Sequence, residues 1–416
     1  MNLRYLLLLA LAGICGAVPL GRAAEPLRLE EAVSRAIAAN PALAAEAASI
    51  RATEARAGRE GLGTPYVVGG DFENFAGTGA LRGADAAETT LRIGRAIELG
   101  GKREARQSLG SAEVRRQQHV AEVARIDIAS RTAARFVEVA ADQQRLAVAI
   151  ERVKQAERAR GEVASWVAAA RNPESDLRNA EIAVADAELE REHAEHELAS
   201  ARMTLAASWG ALTPDFETVV ADLRTLPEIP TFDMLAARLP MTLAERTALL
   251  ETEEAQARRR IAEASAKPDI NLSLGVRRLE ALDDQGLVFS VSVPLGTKSR
   301  SRYAIAEADA QLSAIELQRQ ARRFEERQSL FAKYQELVHA RTEYDAVQAR
   351  MLPKSEQALA FTHRGFQAGR FSFIAFLQAQ KTHADLQARS IEAAARYHVL
   401  LIDIERLTHV AAEATP

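Results

Sequence analysis

The sequence predicts a mainly α-helical protein that also forms a transmembrane β-barrel, and three observations lead to this fold class. Four segments of about ten residues alternate apolar and polar side chains, as the strands of a lipid-facing barrel do. Each pair of segments is followed by a helical pattern of up to about 65 residues, roughly 100 Å long. The arrangement occurs twice at a spacing of about 200 residues, which indicates an internal tandem repeat rather than a solenoid.

The composition favours long packed helices over a globular α/β core. Apolar residues make up 48% of the 416 residues, whereas aromatic residues make up only 5%. The formal net charge is −4. Because no block of like charge occurs along the chain, the sequence argues against a nucleic-acid-binding protein.

Residues 1–23 are expected to be a secretory signal peptide. A basic residue precedes a short apolar run, and Gly21-Arg22-Ala23 fits a cleavage site. The only cysteine, Cys15, lies inside this segment, so the mature chain can form no disulfide. Lipidation of Cys15 is the alternative, but Ile14 stands where a lipoprotein signal requires a small residue.

The mature chain divides into two halves of the same design. We expect the first repeat at 24–210, with a strand hairpin at 65–97 and a long helical hairpin at 102–209. A proline-marked linker or equatorial region at 211–239 leads to the second repeat at 240–410. This repeat has a strand hairpin at 269–293 and a long helical hairpin at 298–408, and a tail at 411–416 follows.

The second strand hairpin alternates most clearly. Residues 269–277 and 287–293 read as strands, and residues 278–286 read as the loop between them. The helical pattern from Lys298 to about Gln367 then reads as one continuous helix.

A short strand-to-helix joint occurs in both halves. Gly100, Gly101 and Lys102 form the first joint, and Gly296 and Lys298 form the second. Glycine tolerates the backbone angles that a sharp change from strand to helix requires.

Four strands per chain predict an assembly of several copies. Four strands cannot close a barrel, since about eight is the lower limit, and an open sheet in a bilayer would leave unpaired backbone groups. Three copies supply roughly twelve strands, which close into a trimeric barrel with a lumen. The long helical hairpins would then continue the tube into the periplasm as an α-helical coiled-coil barrel.

Several motifs resemble the outer-membrane efflux (TolC-type) family, in particular its cobalt–zinc–cadmium (CzcC-type) branch. They are Ile97 to Arg103 (IELGGKR), Glu73 to Gly79 (ENFAGTG) and Ala368-Gly369-Arg370. Phe75 departs from the proline that this branch often has. The resemblance implies a homotrimer in the outer membrane of a Gram-negative bacterium, extending into the periplasm. A periplasmic adaptor would connect it to an inner-membrane RND pump, and it would be neither an enzyme nor dependent on a cofactor.

The cargo follows less directly from the sequence. The resemblance implies divalent heavy-metal cations. The same duct could instead serve a multidrug pump or type I secretion. A periplasmic coiled-coil structural or adaptor protein is a second alternative, but it would not explain four amphipathic strands.

The helix tips are the candidate gate. Relatives close the periplasmic end with rings of carboxylates, and the matching positions here are Asp176, Asn179, Ala375 and Gln378. Three Asp176 side chains in a trimer would form a cation-selective ring at the mouth. The alternative is a solvated carboxylate in the first turn of a helix, where the helix dipole favours it. Of these four positions only Asp176 carries a carboxylate, so one carboxylate per protomer remains.

The same tips are the candidate adaptor contacts. The residues are Arg171, Gly365, Gly369 and Arg370, since the ends of coiled coils are natural docking surfaces. The alternative interpretation is that these residues are tight-turn glycines and solvated arginines.

No pattern indicates catalysis or a resident metal. A nucleophile elbow and a phosphate-binding glycine loop are both missing from the sequence. His193 and His196 lie three residues apart on a helix, but no third ligand accompanies them.

Overall fold

A computed structural model describes residues 26–411. The predicted signal peptide with Cys15, and all but the first residue of the predicted tail, lie outside the described residues. Within the described part, the chain is mainly helical with one four-stranded sheet, as the sequence predicted. No helix in residues 26–411 is both long and apolar enough to cross a membrane.

The helices and strands follow one another in two similar series. The first series is α1 (Leu29–Ala39), α2 (Pro41–Glu60), β1 (Tyr66–Glu73), β2 (Glu88–Ile97), α3 (Lys102–Ala168) and α4 (Glu174–Ala206). The second series is α5 (Phe232–Ala236), α6 (Leu243–Ala264), β3 (Ile270–Leu279), β4 (Asp284–Ser292), α7 (Thr297–Ala346), α8 (Leu352–Gln367) and α9 (Phe373–Leu407).

The sheet has strand order β1-β2-β3-β4, and every neighbouring pair is antiparallel. One row of the register contains Val68, Ile93, Leu274 and Phe289, and all four side chains are exposed. Because side chains alternate along a strand, the adjacent rows point to the opposite face, which is mainly polar. The sheet therefore has an uncovered apolar face and a polar face.

The second strand hairpin is longer than the sequence suggested. Residues 278–286 were expected to form a loop, but β3 continues to Leu279 and β4 begins at Asp284. The Arg278 guanidinium donates to Glu280 at 2.8 Å and to Asp283 at 2.6 Å. These ion pairs stabilise a tight turn at 280–283. The ends of β3 and β4 can therefore pair with each other up to this turn.

The long helices form two layers that share α3 and α7. On the sheet side, the packing order is α2-α3-α6-α7. On the other side it is α4-α3-α9, and α9 packs against both α7 and α8. Between the layers, Leu27, Phe136, Val139, Leu205 and Phe216 belong to one buried cluster. In each layer the two outermost helices have a side that no helix of the same protomer covers.

The helix predicted over 298–367 contains one irregular turn. A π-helical segment at Val347–Met351 joins α7 to α8, and Pro353 is the second residue of α8. Proline lacks a backbone N–H, and its ring clashes with the carbonyl four residues earlier in a regular α-helix. The wider π turn accommodates Pro353 and lets the helix resume.

A buried carboxylate joins α6 to α7. Glu245 is only 4% exposed, and it accepts hydrogen bonds from Arg319 Nε at 2.9 Å and Arg323 Nε at 3.0 Å. The hydrogen bond from Arg323, followed by the contribution of Arg319, holds the pKa of Glu245 below its ordinary value of 4.5, against the opposing effect of burial.

Replacing this carboxylate by Glu245→Gln should lower the free energy of unfolding at pH 7 by about 1–3 kcal/mol. The ion pair stabilises the fold fully above the ordinary pKa of 4.5 and is lost as the pH falls through the lower folded pKa. The difference from wild type should therefore become smaller as the pH falls below 4.5. Urea unfolding at pH 7 and pH 3 measures this, with the exposed pair member Glu253→Gln on the same helix as control. Equal losses for both variants would contradict the expectation.

Candidate functional site

Two strand-to-helix joints connect the sheet to the long helices. Gly100, Gly101 and Gly296 all have positive φ angles, of 81°, 72° and 82°. A Cβ atom on Gly100 would lie 2.6 Å from the Lys267 side chain, so only glycine fits there. These glycines let β2 and β4 lead into α3 and α7 within a few residues.

Ion pairs hold the first joint. Lys102 Nζ lies 2.6 Å from Asp269, the residue before β3. Arg106 binds Glu98 through two hydrogen bonds of 2.5 Å and 2.9 Å, which lower the pKa of Glu98 below its ordinary value. The second joint differs, because Lys298 is exposed.

The two helix tips have the same backbone hydrogen bonds. At the first tip, Arg171 donates to Trp166 at 2.8 Å and Ala170 donates to Val167 at 2.9 Å. At the second tip, Arg370 donates to Gly365 at 2.8 Å, and Gly369 donates to Phe366 at 2.9 Å. The sequence correspondence between the two tips therefore extends to their turn geometry.

Ala170 adopts the left-handed conformation, with φ of 56°, at the position that corresponds to Gly369. This conformation costs a residue with a Cβ about 1–2 kcal/mol. Ala170→Gly should therefore make the first tip more stable, by up to about 1 kcal/mol after the greater flexibility of unfolded glycine is included. Hydrogen exchange at the end of α3 measures the change, and Ala169→Gly is the control. Faster exchange in Ala170→Gly than in wild type would contradict the expectation.

The candidate adaptor residues have different surroundings. Arg171 is exposed and stacks on Trp166, with its guanidinium 5.5 Å from the ring centre. Gly369 and Arg370 are also exposed. Gly365 instead supports a neighbour, because a Cβ on it would lie 2.1 Å from the ring of Phe371. Phe371 is 52% exposed, so the ring forms part of the surface of the second tip.

The candidate gate residues lie at the same end of the molecule. Asp176 is half-buried in the first turn of α4 and accepts a hydrogen bond of 2.8 Å from Asn172. Asn179 is half-buried one turn further along, and Gln378 is exposed near the start of α9. A shared aromatic cluster, which includes Phe366, Phe373 and Phe376, packs the two tips together.

Sequence reasoning missed one contact that joins the two helical hairpins near the tips. Glu162 on α3 accepts hydrogen bonds from His363 at 3.1 Å and from Gln367 at 2.9 Å, both on α8. The His363 ring stacks on Phe376 at 4.7 Å. About 200 residues separate the partners along the chain, so no local spacing could have revealed the contact.

The described residues contain no group of three side chains suited to holding a metal ion. His193 and His196 are both exposed on α4, and the nearest carboxylate oxygen to His196 is that of Glu192, at 3.7 Å.

Comparison with known proteins finds two heavy-metal resistance proteins that are similar over most of the chain. No family model matches the sequence. The chain is 28% identical to the cobalt-zinc-cadmium resistance protein CzcC of Cupriavidus metallidurans over 390 residues, which cover 92% of this chain and 90% of CzcC. It is 30% identical to the nickel and cobalt resistance protein CnrC of the same organism over 311 residues, which cover 72% of this chain and 73% of CnrC.

Solved structures show the same fold. CusC, whose structures were described in terms of transmembrane channel formation, superposes with a TM-score of 0.78 at 14% identity and covers 92% of both chains. The outer membrane protein VceC of Vibrio cholerae superposes with a TM-score of 0.72 at 17% identity, covering 92% of this chain and 96% of VceC. At such identities, the likeness establishes the fold alone.

These relatives confirm the family and location that the sequence motifs implied. Their descriptions name resistance proteins, a transmembrane channel and an outer membrane protein rather than enzymes. The chain belongs to the family of outer-membrane efflux channels, in the branch of CzcC and CnrC, and it has the fold of CusC and VceC.

Proposed function

We propose that three copies of the chain close a twelve-stranded barrel and conduct divalent heavy-metal cations from the periplasm to the outside. A periplasmic adaptor and an inner-membrane RND pump would complete the system. The observation that carries the proposal is the uncovered apolar face of a four-stranded sheet whose two edge strands lack partners within the described protomer.

The sheet has the geometry that closure by copies requires. Its strands are 8 to 10 residues long, close to the length that crosses a bilayer at a tilt. Because the strands alternate in direction, β4 of one copy would pair antiparallel with β1 of the next. Closure would satisfy the edge hydrogen bonds that lipid cannot satisfy.

In the sheet-side helical layer, the two outer helices carry complementary stripes. Leu317, Phe324 and Phe331 on α7 are exposed and lie seven residues apart, the repeat of a left-handed coiled coil. The uncovered side of α2 is instead lined by exposed small residues: Ala45, Ala48, Ala52 and Ala55. Large side chains on one helix can insert into the space that alanines leave on the helix of a neighbouring copy.

A series of side-chain contacts places the two stripes at similar positions along the helix axes. It runs from α2 through α3 and α6 to α7: Glu46 with Gln117, Arg116 with Glu254, and Glu251 with Arg322. In the other layer, α4 exposes Ile182, Leu189 and Met203, again at multiples of seven residues, and α8 exposes Phe361. A threefold assembly would cover both sets of stripes.

The tandem repeat and the role of the tips belong to the same proposal. The matching hydrogen bonds of the two tips support a duplicated origin of the two halves. The exposed Arg171, Gly369 and Arg370 would contact the adaptor, and Gly365 would act through Phe371.

The cargo is inferred from the relatives. CzcC is named for resistance to cobalt, zinc and cadmium, and CnrC for resistance to nickel and cobalt. A duct that only conducts needs no metal-binding cluster of its own, so the cargo would pass without tight binding.

Growth of a strain lacking the gene tests the cargo. Its inhibition by zinc, cobalt, cadmium, nickel, copper and silver should be compared with inhibition by drugs and dyes. Sensitivity confined to divalent metals, reversed by the wild-type gene, is the expected result. Sensitivity to drugs alone would overturn the metal assignment and indicate a multidrug pump.

The proposed ring of Asp176 side chains predicts a change in selectivity. Asp176→Asn should lower the permeability of the purified channel to K⁺ relative to Cl⁻ by roughly twofold in dilute salt, because a ring of carboxylates attracts cations. Reversal potentials in planar bilayers measure the ratio. Glu188→Gln, an exposed carboxylate higher on the same helix, is the control. An unchanged ratio in Asp176→Asn would leave Asp176 as a solvated carboxylate.

A further inference from the structure

The polar face of the sheet carries its charged side chains at one end only. The rows nearest the helices contain Val67, Gly94, Ser273 and Ser290, and then Ala96, Asn271 and Ser292. The rows farthest from the helices contain six charged residues: Asp71, Glu73, Glu88, Arg92, Arg277 and Asp284. We refer to these six residues as the exit girdle.

The arginines of the exit girdle bind its carboxylates across strands. Arg277 on β3 lies 2.7 Å from Glu88 on β2 and 3.4 Å from Glu73 on β1, and its Nε donates to Thr90 at 2.9 Å. Arg92 lies 3.0 Å from Asp71. Three neighbouring strands, β1, β2 and β3, thus contribute side chains to these contacts.

Glycines next to Arg92 let its side chain lie flat against the polar face of the sheet. In the register, Arg92 is flanked by Gly69 on β1 and Gly275 on β3. A Cβ on Gly275 would lie 3.0 Å from the Cβ of Arg92, and a Cβ on Gly69 would lie 3.5 Å from its Nε. The guanidinium therefore lies over the backbone toward Asp71 instead of projecting away from the sheet.

The exit girdle has an excess of negative charge. Four carboxylates face two guanidinium groups, which leaves two negative charges per protomer. Arg277 is the residue that sets this balance, because it bridges two of the carboxylates.

We propose that the exit girdle is a second selectivity element, separate from the helix tips, and that Arg277 and Glu88 set the charge preference of the outer opening. The proposal rests on the proposed barrel, in which the polar face lines the lumen. Three copies would arrange the girdle as a ring whose excess carboxylates attract cations and whose arginines limit that attraction.

Reversal potentials of purified channels in a KCl gradient test the proposal. Arg277→Gln should raise the permeability ratio of K⁺ to Cl⁻ by roughly twofold in dilute salt, and by less near 1 M, where charges are screened within about 3 Å. Glu88→Gln should lower the ratio by a similar factor. Each variant is first checked for an intact trimer, and Arg277→Lys, which keeps the charge, should restore the wild-type ratio.

Arg278→Gln is the matched control. Arg278 neighbours Arg277 in the chain, but it lies on the opposite face of the sheet and binds Glu280 and Asp283. Its loss should leave the permeability ratio unchanged. Conducting channels with equal ratios in wild type, Arg277→Gln and Glu88→Gln would overturn the girdle proposal alone. A wild-type trimer that carries no current would overturn the proposed channel, and the girdle with it.

Discussion

Replacing Phe324 by aspartate should abolish the trimer. Phe324 is 75% exposed in the protomer and lies in the middle of the α7 stripe. If a neighbouring copy covers it, each ring contributes about 1.5–3 kcal/mol through burial. A carboxylate in its place would be desolvated without a partner, which costs several kcal/mol more. Threefold symmetry repeats the loss at all three seams, so the expected effect is large.

Size-exclusion chromatography with light scattering, on protein extracted in mild detergent, measures this result. Gln318→Asp is the matched control, because Gln318 is exposed on the same helix but lies off the stripe. Trimeric Gln318→Asp beside monomeric Phe324→Asp is the expected pair of results. A stable Phe324→Asp trimer would mean that the α7 stripe does not form the contact between copies.

Gly365→Val should abolish efflux while leaving the trimer and its conductance intact. The added side chain would occupy the position of the Phe371 ring, whose nearest atom is only 2.1 Å from a Cβ on Gly365. The ring belongs to a rigid turn, in which the Phe371 N–H donates to the Gly365 carbonyl at 3.2 Å. Displacing it would change the surface that we propose contacts the adaptor. Because this surface is far from the sheet, assembly should be unaffected.

Metal sensitivity of complemented strains and crosslinking to the adaptor measure the effect. Gly161→Ala is the matched control, since Gly161 lies near the end of α3 and a Cβ there would meet no atom within 4 Å. Phe371→Ala with Gly365 intact separates the two residues. If the ring is the contact, Phe371→Ala alone should also reduce efflux. Full efflux by Phe371→Ala and Gly365→Val would exclude this part of the tip from docking.

The strands and joints could be predicted because their signals are local. Alternation in β3, such as Leu274 and Val276 against Ser273 and Gly275, directly records which side chains share a face. Gly100 and Gly296 indicate a positive-φ backbone conformation that residues with a Cβ rarely adopt. The sequence motifs that resembled efflux proteins led to the family for the same reason, since they lie at these turns.

Other features could not be predicted, because their partners are distant in the chain. Glu162 and His363 meet only when α3 packs beside α8, and Arg277 reaches Glu73 and Glu88 only through the register of three strands. The π segment before Pro353 was also missed. Pro353 predicts a disturbance of the helix, but packing against α9 decides whether the helix ends, kinks or widens.

The sequence by itself determined the class of molecule. It predicted strands with one apolar face, long helices, and glycines at the joints where a strand leads into a helix. Periodicity carries this information because each side chain's direction depends only on its position along a strand or helix. The tertiary structure decided which charges meet. It brought Arg277 to Glu88, seated Phe371 on Gly365, and left the stripes of α2 and α7 uncovered. Such contacts depend on the register of the strands and on the relative positions of the helices along their axes. Both are fixed only when all of these elements pack together.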